Sequence, residues 1–404
     1  MRRIAVIGTG PAGIMAALTA AADDGVTVDT WDAGVPLATI LRTGGGRCNI
    51  TNAEQDSRAF AGCYPRGGNF LISLLSRFGS SHTMEWFAQR GLPLVVEGEG
   101  RVFPRSGRAQ SVRDVLSAEA RRLGVTMKAQ ASVAAVRRVP GGFVLAGSPD
   151  PYERLVIATG GDGKDGRRGY ALARALGHTV TALAPSLTAL VTAESWPSRA
   201  AGLTLPSARL QAFDGKRRIA DERGSLLFTH TGITGPLAFR ISSRCAFFPF
   251  SRQAPLRLVL RVLPDLGRDA IDAALVAAAR DRPRLQAASA LRALVPRSLA
   301  LALPGLAGVD PSTPLGQLSR ASRAALVSLL DQLPLEAVGT RPGAEMVTAG
   351  GISLDEVDPR TMESRIVPGL YFCGEVLDID GYTGGYNLQA AWSTGHCAGL
   401  ASAG

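Results

Sequence analysis

The chain opens on a short apolar run, RIAVI (3–7), then a glycine-broken turn and an alanine-rich run over 11–22. A run of that length bounded by glycines reads as a buried strand, and the longer run as a helix. VTVDTWD (26–32) follows as a second strand, so the first fifty residues form a β-α-β unit, the start of a doubly wound sheet. Helical periodicity returns in SHTMEWFAQRG (81–91) and SVRDVLSAEARRLG (111–124), each ending at a glycine. Residues 125–147 alternate as strands joined at Gly141-Gly142, and RLVIATGG (154–161) is an apolar strand running into glycines.

After about residue 185 the pattern changes. Short strand-like runs, RLQAF, SLLFTH and LRLVLRVL, occupy 186–262 and are broken by Pro and Gly. Residues 268–333 place Ile271, Leu275 and Ala278 on one helical face and Leu285, Ala288 and Leu291 on another. AEMVTAGGISL (344–354) brings back strand and glycine. The expected organisation is one nucleotide-binding domain in two segments, 1–185 and 344–404. It is interrupted by a β-barrel-like part at 186–262 and a helical part at 263–343.

Composition alters this picture little. The 404 residues are 46% hydrophobic and 19% charged, as in an ordinary globular protein. A net charge of +10 is almost all arginine, with lysine only at 128, 164 and 216. Compositional bias and attraction of an anionic partner both account for it. Five scattered cysteines make no C-x-x-C, and the four histidines show no metal spacing, so no metal site and a reducing, cytoplasmic setting are expected. The N-terminus has the look of a signal peptide. Gly8, Gly10, Pro11 and Gly13 interrupt its apolar stretch, and no membrane span is expected.

GTGPAG (8–13) fits G-x-G-x-x-G between a strand and a helix. Gly8 makes the turn, Gly10 lets a diphosphate approach and Gly13 lets helix and strand pack. Pro11 and Ala12 open the helix whose N-terminus would face that diphosphate. Asp32, nineteen residues past Gly13, is placed to accept from ribose hydroxyls and to repel a 2′-phosphate. At the other end, GLYFCGEVLDIDGYTGGYNLQAAWSTGHCAG (369–399) reads as a strand ending in Gly374-Glu375, then Gly384-Gly385, then a helix. In FAD proteins with this arrangement the acid contacts the ribityl chain, and amides near Tyr386, Asn387 and Leu388 stabilise charge on the flavin pyrimidine edge. Gln389 and Trp392 suit packing as well as cofactor contact. Ala158, Thr159 and Gly160 form the third glycine-bearing turn. A second G-x-G-x-x-G after a strand is missing, so a separate nicotinamide domain is not expected.

TGGGRCNITN (43–52), GRVFPRSGRAQSVRDVL (100–116), LFTHTGITGP (227–236) and the 347–395 block resemble the aminoacetone oxidase and BaiN/YhiN-like family of bacterial FAD-dependent oxidoreductases. The resemblance covers nearly the whole chain. It implies a FAD domain of glutathione-reductase-like topology, interrupted by a small β-barrel and a helical subdomain. It also implies that Gly44, Gly45 and Gly46 pass beside the flavin. Arg47 and Asn49 would then bond phosphate or flavin edges, with Cys48 a small filler rather than a redox thiol, and Val133 joins the expected cofactor contacts. Two stretches depart from the family: Leu37-Ala38-Thr39 stands where Gly-Arg-Lys is usual, and DGKDGRRG (162–169) replaces a Gly-Ser-Thr-Gly segment.

The expected activity is hydride transfer between flavin N5 and a small organic substrate, an amine or a conjugated double bond. NAD(P)H or oxygen would be the electron partner. The alternative is a flavin-dependent reductase of uracil in ribosomal RNA, with Arg280, Arg282, Arg284, Arg292 and Arg297 as its basic surface. His230 is a weak catalytic candidate, set against a structural role. His178 is expected to interact with a helix C-terminus.

Overall fold

The computed structural model describes residues 1–343 and 345–404, apart from the side chains of Lys164 and Asp165. Ala344, expected to begin the second segment of the nucleotide-binding domain, lies outside the described residues. The chain forms two compact units, Met1–Ala184 with Val347–Gly404, and Pro185–Met346.

In the first unit, β1 (Arg2–Ile7) is flanked by β2 (Val26–Trp31) on one side and by Arg154–Ile157 on the other. Thr126–Lys128 and Leu370–Phe372 add the outer strands, and all the pairings are parallel. Such a sheet is covered on both faces, which is why β1 is a continuous apolar run with Ile4, Ala5 and Val6 fully buried. The helix α1 (Pro11–Ala20) follows β1, and Pro at its first position is already set for helical φ. Against α1 lies the C-terminal helix Tyr386–Ala403, at a spacing set by small residues: a Cβ on Gly395 would meet Ala12 O at 2.4 Å.

The strand order reverses around β1, and ligands of open α/β sheets bind at such switch points. Here the turns after β1 and after Arg154–Ile157 touch. A Cβ on Gly8 would stand 2.4 Å from Ala158 O, and Gly8 holds φ of +95°, which an L side chain resists.

The second unit holds a closed six-stranded antiparallel barrel, ordered Leu190–Thr192, Gly232–Thr234, Arg217–Thr229, Thr204–Asp214, Leu256–Arg261 and Leu333–Thr340. Alternation fills it: Leu210, Ala212, Leu258, Leu260, Leu333 and Leu335 are buried while their neighbours face out. Helices Arg268–Asp281, Ala287–Leu291, Arg297–Leu306 and Arg320–Asp331 come between the last two barrel strands. Leu333–Thr340 falls in the stretch read from sequence as helical. It is a strand because the barrel needs it to close.

Doubly wound sheet, inserted barrel and inserted helices together are the fold class expected from the sequence. Several elements had no sequence signal assigned to them. Helices Ser57–Ala61 and Gly68–Arg77, and the small sheet of Thr51–Asn52, Arg101–Pro104 and Leu94–Val96, lie between the β-α-β unit and the helix Ala109–Arg122.

Candidate functional site

The fingerprint glycines gather where the fold predicts a nucleotide to lie. Gly13 is pressed against the turn, since a Cβ there would fall 1.9 Å from Gly8 O. Gly10 is the opposite case: a Cβ there would meet nothing within 4 Å, so the helix N-terminus opens onto free space. Its first amides have no acceptor within the helix. Asp32 sits at the end of β2 and already takes one amide on each oxygen, Thr9 N at 2.8 Å and Gly34 N at 2.9 Å. A carboxylate has about four acceptor sites, so two remain for hydroxyls. Ala131 N donates to Asp32 O at 2.7 Å, which brings buried Val133 close behind.

The third turn joins the same edge. Gly374 has φ of +79° and would place a Cβ 2.6 Å from that of Ala12. Next to it, Glu375 Oε1 accepts from Thr348 N at 3.0 Å, while the Thr348 hydroxyl accepts from Asp162 N at 2.7 Å. Burial pushes the Glu375 carboxyl up to about 6, against the hydrogen bonds from Thr348, and the nearby Asp380 charge adds to the rise. Asp380 is fully buried and forked by Arg66. Thr159 Oγ1 and Tyr170 Oη are buried without a hydrogen-bond partner. Arg66, Asp380, Thr348 and Tyr170 were not singled out from sequence. Arg66 meets Asp380 across 314 residues of chain, and Thr348 meets Asp162 across 186.

The C-terminal helix starts at Gly385, whose φ is +100° and whose Cβ would lie 2.3 Å from Thr51 O. Asn387 clamps the approach to the helix, accepting from Gly381 N and donating to Gly381 O, both at 2.8 Å. Leu388 is half-buried beside it. Gln389 is fully buried and bonds Thr51 Oγ1, Phe78 O and Ser393 Oγ, and Trp392 donates to Ile50 O at 3.0 Å. Those two side chains serve packing. Together they fasten the helix to the glycine-rich segment.

That segment turns tightly, with Gly44, Gly45 and Gly46 at φ of 55°, 64° and 85°. Gly45 is exposed, and a Cβ there would meet nothing within 4 Å. Cys48 is fully buried, and burial pushes its thiol up to about 11, out of the range of a redox nucleophile. Arg47 and Asn49, expected to bond phosphate or flavin edges, each have a protein partner. Arg47 pairs with Glu97, and Asn49 Oδ1 accepts from Val102 N at 3.2 Å. Where the family's Gly-Arg-Lys would stand, Leu37 is buried and its amide donates to Thr9 O at 2.9 Å.

His230 is exposed in the turn between barrel strands Arg217–Thr229 and Gly232–Thr234, in the other unit. His178 lies past the end of helix Lys164–Ala175, buried against Phe372 and bonded to Ser364 Oγ at 2.8 Å. Burial lowers its pKa, which makes it a neutral core residue. Among the described residues there is no cluster suited to a metal ion, and no helix is long and apolar enough to cross a membrane.

The family model of the HI0933-like protein Rossmann domain matches residues 2–401. The chain is 34% identical over 420 residues to the 3-dehydro-bile acid delta(4,6)-reductase of Clostridium scindens, covering 100% of this chain and 99% of that protein. It is 32% identical over 400 residues to the ribosomal RNA dihydrouridine synthase of Escherichia coli, covering 96% and 95%. The solved 3-ketosteroid delta1-dehydrogenase of Sterolibacterium denitrificans shares the fold, with a TM-score of 0.51, 12% identity and 100% of both chains covered. The chain belongs to the HI0933-like family of FAD-dependent oxidoreductases.

Proposed function

We propose that this protein binds FAD along the carboxyl edge of its sheet and saturates an electron-poor carbon–carbon double bond in a small organic molecule. One observation carries the reading: three glycine turns, at 8–13, 158–160 and 374, meet at one edge, and the N-terminus of α1 opens beside them. When bound, the flavin supplies two-electron transfer at N5.

The protein's own groups have definable roles. The first amides of α1 hold the diphosphate. The two remaining acceptor sites of Asp32 take ribose hydroxyls, and its charge disfavours a 2′-phosphate. Glu375, fixed by Thr348, presents its other oxygen to the ribityl hydroxyls. The amides of Tyr386, Asn387 and Leu388 favour negative charge on the pyrimidine edge, which makes the bound cofactor easier to reduce. Two relatives support the reductive direction, since one is named as a reductase and the other makes dihydrouridine.

The test is to load the protein with FAD, reduce it under anaerobic conditions and offer a 3-dehydro-bile acid with Δ4,6 double bonds. Reoxidation of the flavin with formation of the saturated product supports the reading. If the dienone leaves the flavin reduced while an amine bleaches the oxidised form, the enzyme is an amine oxidase.

A second reading, reduction of uracil in RNA, is favoured by one feature. Arg282, Arg284, Arg292 and Arg297 are exposed and have no ion pair among the described residues; exposed Arg280 pairs only with Asp281. RNA binding through them would weaken steeply with salt, and charge removal at these positions would flatten that slope.

A further inference from the structure

A long arginine side chain on a glycine turn ordinarily spreads into solvent. Arg47 is instead fixed from two directions. Its guanidinium makes a two-point fork to Glu97, Nη2 to Oε1 at 2.5 Å and Nη1 to Oε2 at 3.2 Å. Its guanidinium carbon lies over the Phe103 ring, 4.1 Å from the centroid. A cation–π contact of this kind holds the guanidinium in place whichever carboxylate fills the fork.

The partner is held through its backbone, with Glu97 N donating to Arg101 O at 2.8 Å. Glu97 lies between the edge strand Leu94–Val96 and the turn Gly98–Gly100, where Glu99 has φ of 61°. Val95 and Val96 beside it have exposed side chains and pair with Phe103 and Val102, so the Glu97 side chain, not its backbone, is what can swing away. The Arg47 and Glu97 side chains keep 41% and 32% of their exposure, and pairs this open to water stabilise a fold only slightly. A donor fork backed by an aromatic ring, facing an acceptor side chain that can rotate into water, is the arrangement of a ligand clamp with its place held.

The clamp also belongs to the cofactor wall. Three residues after Cys48, Thr51 packs against Gly385, and Asn52 Nδ2 donates to Gly384 O at 3.2 Å. Loop and helix N-terminus are thus one assembly, and the turn that carries Glu97 is tied to it, since Asn52 Nδ2 also donates to Glu99 O at 2.9 Å. We infer that Arg47 is a specificity-determining residue that binds a carboxylate of the substrate, and that Glu97 occupies the fork until the substrate displaces it. This rests on the reductase reading, and it narrows the substrate to an anionic one.

The test uses the FAD-loaded protein with two probes, the Δ4,6 dienone acid and its methyl ester. Binding is read by perturbation of the oxidised flavin band, and turnover by reoxidation of the reduced flavin. The acid should bind at least about tenfold more tightly than the ester. Arg47→Gln should bring that preference within about twofold, and Glu97→Gln should raise acid affinity several-fold by freeing the fork. The inference is overturned if acid and ester bind alike to the wild type, if Arg47→Gln weakens both equally, or if neither binds. Failure of the reductase reading looks different: the acid binds with these preferences, yet neither probe reoxidises the flavin. An ester that reoxidises the flavin as well as the acid does keeps that reading and removes the clamp.

Discussion

Thr348 donates its amide to Glu375 at 3.0 Å, yet burial still pushes that carboxyl up to about 6. The ordinary value is 4.5, so the fold favours the protonated form. The sign follows. Stability from this group is full below pH 4.5, falls as pH rises through the window from 4.5 to 6, and stays lost above it. In cofactor-free protein at pH 7.5, Glu375→Gln should therefore raise the melting temperature, by a free energy on the order of 1–2 kcal/mol. The advantage should vanish below pH 4.5. A variant no more stable at pH 7.5 contradicts a strained carboxylate.

Gly10 separates folding from cofactor binding. Its φ is −80°, and a Cβ would meet nothing within 4 Å. Gly10→Ala should leave cofactor-free stability unchanged or raise it by about 0.4–1 kcal/mol. Retention of FAD should fall at least about tenfold, because the methyl group fills the space the diphosphate needs. Equilibrium dialysis and thermal melts check both halves. Undiminished FAD affinity would place the diphosphate elsewhere.

The beginning and end of the chain were legible because each is a local pattern. A buried strand, a turn that needs glycine and a helix follow one another within a dozen residues, as in RIAVI-GTGPAG and in the approach to Gly385. Pairings between distant residues were not. Glu97 stands fifty residues from Arg47 and Asp380 lies 314 from Arg66, and neither separation leaves a mark on the sequence around it. The strand Leu333–Thr340 alternates buried and exposed positions, but it holds Pro334 and closely follows a helix, so in the sequence its pattern merges with the helical run before it.

His396 stacks on Phe78 at 4.2 Å and bonds Thr19 Oγ1 at 3.2 Å. Burial, helped by His82, lowers its pKa to about 4 from 6.5. Its stabilising contribution is thus present above pH 6.5 and lost as pH falls toward 4, at most about 3 kcal/mol. Replacing it with Gln should make the fall in melting temperature between pH 7 and 4.5 shallower. An unchanged slope would contradict the burial argument.

Thiol labelling checks the role of the glycine-rich segment. Cys63 is partly exposed, whereas Cys48 is fully buried with its thiol at about 11. Native protein at pH 8 should take up iodoacetamide at Cys63 and leave Cys48 unmodified, as peptide mapping would show. Rapid labelling of Cys48 would revive a redox thiol.

The most direct measurement is the visible spectrum of the purified protein, followed anaerobically through reduction and then addition of the Δ4,6 dienone. The account predicts an oxidised flavin band that bleaches on reduction and returns as the double bond is saturated. Protein expressed with ample riboflavin that shows no flavin band, and takes up no FAD on reconstitution, would contradict it.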